Sequence, residues 1–139
     1  MNALSGREAS IAACLCDTVV APAGGLPPVA QTDAIAALDT TLSSGPAITR
    51  LGLRALLMGL ELVPLALGEG ARMRRLTAAR RIVVLDRLRR GPLAGAMQAL
   101  DAVLAFSYFG DAEVMRRLGY DAEMNAARGR ALRDAEGRW

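Results

Sequence analysis

The chain has 139 residues, of which 53% are hydrophobic and 22% charged, a balance typical of one globular domain rather than a disordered protein. Its net charge is only +3, and all 17 of its basic residues are arginine. The absence of histidine excludes serine-type catalytic triads, Cys–His dyads and the usual imidazole metal ligands.

The first part of the chain predicts two helices separated by a loop. Ser5 and Glu8 form a capping box, and the apolar residues Ile11, Leu15 and Val19 follow it at every fourth position. Prolines and glycines then make residues 21–31 a loop or short linker. After this loop, Thr32 or Asp33 can cap a short second helix.

A third helix is predicted from about Pro46 to Leu62 or beyond, at the centre of the protein. Its apolar residues recur at the helical period and define the expected inner face: Ile48, Leu51, Ala55, Met58, Leu62 and Leu65. The flanks are also apolar, so we expect burial on nearly all sides. Pro64 removes one backbone hydrogen bond and predicts a kink or an end near Leu60.

The second half of the chain predicts two more long helices and two weaker ones. Thr77 can cap a fourth helix with Ile82, Leu85 and Leu88 facing inward, and Gly91-Pro92 separates it from a fifth. The inward stripe of the fifth helix comprises Leu93, Met97, Leu100, Leu104 and Tyr108.

The end of the fifth helix is marked by Gly110, which can take the left-handed conformation. Asp111 can cap one or two further turns, which end at Gly119, and residues 121–139 are expected to form a weakly helical C-terminal tail. The predicted fold is therefore all-α, one domain over residues 1–139 built as a compact bundle of five or six helices.

Groups able to perform chemistry are scarce. Glu61 and Asp101 lie in apolar helices, where each is either an acid–base carboxylate or, as we favour, the partner of an arginine from a neighbouring helix. Cys14 and Cys16 lie two residues apart on a helix, so their side chains point in different directions and a disulfide between them is not expected. Both are expected to be buried thiols. We expect no catalytic residue, no metal ligand and no cofactor-binding residue in this chain.

The aromatic residues are concentrated in one short segment. Four of the five lie between positions 106 and 120, close to two neighbouring arginines. Because Tyr, Trp and Arg dominate binding hot spots, we predict a partner interface, with the alternative that the rings only close one end of the bundle. The predicted interface residues are Tyr108, Phe109, Arg116, Arg117, Tyr120 and the C-terminal Trp139.

The same segment carries a resemblance. Its pattern Tyr-Phe-Gly-Asp-x-x-Val-Met-x-x-Leu-Gly-Tyr at 108–120 resembles the signature of the gluconate 2-dehydrogenase subunit 3 family, and Ser5-x-x-Glu8 and Leu60-Glu-Leu-Val-Pro64 match in the expected order. Members of that family are small helical subunits found beside FAD-dependent oxidoreductases of the glucose–methanol–choline type.

The resemblance implies a non-catalytic accessory subunit that docks on such an oxidoreductase and stabilises it or assists its maturation. The large partner would hold FAD and oxidise an alcohol, sugar or sterol, and it would act in trans because this chain stops at Trp139. Residues 1–20 lack the pattern of a secretory signal and no segment reads as a transmembrane helix, so we expect a cytoplasmic protein.

Two other functions also fit the sequence. The arginines between positions 72 and 90, with a pI of about 9.5, also fit a small helical nucleic-acid-binding regulator, although we expect these arginines to be a solvated helix face and expect no nucleic-acid partner. The leucine-rich helices could instead enclose a cavity for a small apolar ligand.

Overall fold

The structure is a computed structural model that describes residues 2–22 and 24–137. Within those ranges it contains seven α-helices, two short 3-10 helices at Val29–Gln31 and Met73–Arg75, and no strand. The helices are α1 Gly6–Val20, α2 Ala34–Ser44, α3 Ala47–Ala66, α4 Ala78–Arg89, α5 Ala94–Phe109, α6 Ala112–Arg117 and α7 Ala122–Glu136. The all-α prediction is confirmed, but the count of five or six is wrong, because the turns after Asp111 and the C-terminal tail each form a separate helix.

Helix α1 begins with the predicted capping box. The Ser5 hydroxyl accepts a hydrogen bond from the Glu8 N–H at 3.3 Å, and the Glu8 carboxylate accepts one from the Ser5 N–H at 2.7 Å. Ile11 and Leu15 are fully buried, as their spacing predicts. The local sequence therefore fixes both the start of α1 and the face that it buries.

Helix α5 occupies the centre of the fold, where α1, α2, α4 and α6 all pack against it. Four residues of its predicted stripe are buried, namely Met97, Leu100, Leu104 and Tyr108. Leu93, the fifth, lies just before the helix and is exposed. The central position that we predicted for the third helix thus belongs to the fifth.

Helix α3 is turned the opposite way to the prediction. It packs against α1 and the Met73–Arg75 segment through the side that carries Leu57, Leu60 and Glu61, outside the predicted inner face. The predicted inner face points to solvent, with Ile48 76% and Leu51 64% exposed. Because α3 carries leucines on both of these sides, helical periodicity alone could not select the buried face.

Pro64 does not end α3, which continues to Ala66. Of the two predicted outcomes, an end near Leu60 is therefore wrong, and a kink there stays a prediction. Pro64 itself is buried against the rest of the protein, so tertiary packing retains a helical turn that the proline would disfavour in an isolated peptide.

The segment between α1 and α2 is irregular but tied down at several points. The Asp17 carboxylate accepts a hydrogen bond from the Val29 N–H at 3.0 Å. The Tyr108 hydroxyl, from α5, donates to the Pro27 carbonyl at 2.6 Å. The predicted loop is thus a fixed part of the fold in its described residues.

Helix α7 begins at the predicted cap. The Asp121 carboxylate accepts hydrogen bonds from the N–H groups of Glu123 and Met124 at 2.9 and 3.1 Å. None of the fifteen residues of α7 is buried. Across the described ranges, no helix combines the length and the apolar character needed to cross a bilayer.

Candidate functional site

The segment around Gly110 forms a sharp corner between α5 and α6. Gly110 is not left-handed as predicted, because its φ is −79°, but a Cβ there would lie 2.9 Å from the Phe106 carbonyl oxygen. Glycine is therefore favoured at this position because a Cβ would come too close to a backbone oxygen, and not because the backbone is left-handed. Gly119, in contrast, has a φ of +81° and follows α6, as expected of a helix-ending glycine.

Asp111 joins two helix starts. One oxygen of its carboxylate accepts hydrogen bonds from the N–H groups of Glu113 and Val114 at 3.0 and 3.2 Å, which confirms its predicted capping role. The other oxygen accepts one from the Asp33 N–H at 2.9 Å, beside the start of α2. The open cavity of about 690 Å³ at this junction is lined in part by these groups.

Tyr108 is fully buried and so is not part of the contact surface predicted from the sequence. Its hydroxyl bonds to the Pro27 carbonyl, and its ring meets that of Phe109 edge-on, with centroids 5.1 Å apart. Burial raises the pKa of Tyr108. The same residue also belongs to the inward stripe of α5, and that periodic signal gave its true position.

The other predicted interface residues within the described ranges lie at the surface. Phe109 and Tyr120 are about half exposed, while Arg116 and Arg117 both bind the Glu113 carboxylate, at 2.7 and 2.8 Å. These hydrogen bonds, from Arg117 first and then Arg116, lower the pKa of Glu113. The interface role of these four residues stays a prediction, and Trp139 lies outside the described residues.

Arg117 has a second partner, since it also donates to the Gly25 carbonyl at 2.8 Å. This contact joins α6 to the loop that follows α1. The Arg117 side chain is therefore engaged within its own chain, which reduces what it can offer to a partner.

The two carboxylates in apolar helices are paired with arginines, as we favoured. Glu61 is buried, with its carboxylate 2.9 Å from the Arg74 guanidinium. Asp101 accepts two hydrogen bonds from Arg89, at 2.8 and 3.0 Å, and this pairing raises the pKa of Arg89. Both acids therefore have a structural explanation.

The two cysteines are free thiols. Burial raises the pKa of Cys16 to about 12, and the Cys16 thiol donates a weak hydrogen bond to the Leu104 carbonyl at 3.6 Å. Burial also raises the pKa of Cys14. Since the thiolate is the nucleophile and the metal ligand, both groups are poorly suited to either role at neutral pH. Among the described residues, no group of three or more acidic or cysteine side chains is placed to hold a metal ion.

The most unusual surface feature is the outer face of α3. Apolar side chains follow one another along it, and we call this set the α3 stripe: Ile48, Leu51, Ala55, Met58, Leu62 and Leu65. Met58 is half-buried, and the other five are exposed. Contiguous exposed apolar residues mark protein–protein or ligand contact sites more often than isolated ones do.

An apolar groove of about 480 Å³ runs between α3 and α5, beside the stripe. Small residues, Gly52, Ala96 and Ala99, line it together with leucines and Val103. Phe106, 82% exposed, lies one turn further along α5. The spacing of the stripe can be predicted from the sequence. The exposure of the stripe cannot, because it depends on which side of α3 packs against the other helices.

Comparison of the chain with protein-family models, with curated proteins and with solved structures finds no significant match.

Proposed function

We propose that this chain is a non-catalytic accessory subunit that docks on a larger protein, and that this partner is a FAD-dependent oxidoreductase of the glucose–methanol–choline class. The observation that carries the docking role is the α3 stripe, because a helix with exposed large apolar residues along its length gains stability when another protein covers them.

The identity of the partner rests on the resemblance at residues 108–120. Its matching residues have definite structural roles: Asp111 caps α6, Val114 is buried, and Gly119 takes the left-handed conformation. The pattern therefore coincides with the α5–α6 corner of this fold, and the identity of the partner rests on the resemblance alone. In the proposal the partner holds FAD and oxidises an alcohol, sugar or sterol, and this chain binds no flavin and stabilises or matures the partner in the cytoplasm.

The nucleic-acid alternative is weakened by the partners of the arginines between positions 72 and 90. Four of them are engaged by their own chain: Arg74 by Glu61, Arg80 by Glu69, Arg81 by Thr18 and the Leu76 carbonyl, and Arg89 by Asp86 and Asp101. Engaged guanidinium groups contribute less to a phosphate-binding surface than free ones do.

The test is affinity capture of the tagged chain from its native host, followed by mass spectrometry and absorbance in the flavin bands. The proposal expects one large flavoprotein to be recovered in a yellow complex. An unrelated small helical protein with the same tag serves as the control. Recovery of the chain alone and colourless, or of a partner without flavin, would refute the oxidoreductase assignment.

A further inference from the structure

The apolar residues of the α3 stripe have the spacing found in one helix of a coiled coil. Its residues alternate by three and four positions from Ile48 to Leu65, so that two sets recur every seven residues. A seven-residue apolar repeat can keep one seam of a helix facing a partner helix. The stripe spans about 26 Å at the rise of an α-helix, which is the length of a helix–helix contact.

Two glycines beside the stripe point to close approach from outside. Gly52 and Gly59 lie inside α3, also seven residues apart, where glycine destabilises a helix relative to alanine. A Cβ added to either would meet no atom of the protein within 4 Å. The fold of this chain therefore does not require glycine at these positions, whereas a second helix packed on the stripe would benefit from the reduced bulk.

The charges near the stripe identify the kind of helix that it fits. Arg54 is three residues after Leu51 and four before Met58, which places it on the flank, but its guanidinium is already paired with the Glu8 carboxylate at 2.8 Å. At the other end, Arg72 and Arg75 line a cavity with Leu65, and neither has a carboxylate partner among the described residues.

The acids of this region are already used. Glu61, the only acid in α3, is buried against Arg74. Glu8 is buried against Arg54, and Glu69 is paired with Arg80. Two copies of the chain meeting through their stripes would thus offer Arg72 and Arg75 no unpaired carboxylate from α3, in either orientation. The charge pattern favours a different protein over a second copy.

We propose that the α3 stripe binds one α-helix of a partner protein, and that this helix carries a heptad apolar seam flanked by carboxylates. The seam covers Ile48 to Leu65, approaches most closely over Gly59, and places its carboxylates near Arg72 and Arg75. This inference rests on the proposed docking role but not on the identity of the partner as a flavoprotein.

The experiment uses the full chain and two synthetic peptides of three heptads, each with Ile at a and Leu at d. One peptide has Glu at the e and g positions and the other has Lys. Binding is measured by fluorescence anisotropy at moderate salt. The Glu peptide is expected to bind about ten-fold more tightly than the Lys peptide or better.

Matched variants locate the binding surface. Leu51→Glu, on the stripe, is expected to weaken the Glu peptide by about ten-fold or more, because it places an acid in the seam. Leu132→Glu makes the same change at a similarly exposed leucine of α7 and should leave the affinity unchanged. Leu62→Glu provides a second stripe variant, and circular dichroism verifies that each variant remains helical.

Four results would overturn the inference: no binding of the Glu peptide, equal binding of both peptides, binding that survives both stripe substitutions, or a wild-type homodimer that Leu51→Glu dissociates. The last would show that a second copy occupies the stripe. The peptide assay contains no flavoprotein, so its failure is distinct from a failure of the capture experiment. A captured flavoprotein that still binds the Leu51→Glu variant would leave the accessory function standing and refute the stripe as its site.

Discussion

Replacing Gly52 and Gly59 together by alanine should stabilise the isolated protein. Both positions lie inside α3 and have open space where a Cβ would be placed. Alanine is favoured over glycine in a helix interior by about 0.8–1.0 kcal/mol. The two sites are two turns apart, about 10 Å along the axis, so their effects should add to about 1.8 kcal/mol.

The thermal shift follows from the size of the chain. At about 2.1 cal/mol/K of unfolding entropy per residue, 139 residues correspond to roughly 0.3 kcal/mol per degree, so Tm should rise by roughly 6 °C. Thermal unfolding followed by circular dichroism measures this shift. The matched control is Gly110→Ala, whose Cβ would lie 2.9 Å from the Phe106 carbonyl oxygen and which should lower Tm instead.

The same pair of substitutions should weaken binding of the Glu peptide, because the added methyl groups hold the peptide helix away from α3. Stability and affinity would then change in opposite directions, a pattern expected of residues kept for a partner rather than for the fold. A Tm that stays constant or falls in the double alanine variant would refute the reasoning, since it would mean that the glycines serve the fold of α3 itself.

Three further predictions concern single side chains. Tyr108→Phe leaves the buried Pro27 carbonyl without its donor and should lower the free energy of unfolding by about 1–2 kcal/mol. Urea unfolding should show a lower midpoint at an unchanged m value. An unchanged midpoint would contradict this and show that water replaces the hydroxyl. Burial raises the pKa of Glu8, but the hydrogen bonds from Arg54 and Ser5 outweigh it and hold the pKa below 4.5. The ionised Glu8 therefore stabilises the fold above pH 4.5, and this contribution is lost as the pH falls through its lowered pKa. In acid titrations, Glu8→Gln should reduce the dependence of the unfolding free energy on pH below about pH 5. Parallel curves for the variant and the wild type would contradict this. Because burial raises the pKa of Cys16 to about 12, iodoacetamide at pH 7.5 should leave Cys16 unmodified in the native protein and label it in urea, as mass spectrometry would show; native labelling would be the contrary result.

The elements that the sequence predicted well are set by local patterns. Helix α1 has a capping box and one stripe, and helix α5 buries four of its five predicted stripe residues, although its exposed sides also carry apolar residues such as Val103 and Phe106. A cap and a periodic stripe are both defined within a few turns of the chain. The caps Thr77, Asp111 and Asp121 were found for the same reason, since a cap is decided within one turn.

The orientation of α3 could not be obtained in this way. Leu57 and Leu60 on one side and Ile48 and Leu51 on the other are equally apolar, so the choice depends on which other elements compete for contact. Here α5 takes the central place and leaves α3 at the edge. Three-and-four spacing occurs on both sides of α3, so it could not select the buried side.

The candidate interface was predicted only in part. Tyr108 satisfied both an interface pattern and a core pattern, and the periodic one was right. Gly110 ends the helix as predicted, yet its backbone is right-handed, and glycine suits the position because a Cβ would lie close to the Phe106 carbonyl oxygen. The α3 stripe was found as a pattern and assigned to the wrong environment.

The loop after α1 has a consequence for how the chain is made. Its Pro27 carbonyl is held by a tyrosine 81 positions later, and its Gly25 carbonyl by an arginine 92 positions later. Such distant contacts close only after most of the polypeptide has been synthesised, and closing them costs chain entropy that local helices do not incur. During translation, α1 can form early, but this loop must wait for the α5–α6 corner to leave the ribosome before it takes its final shape.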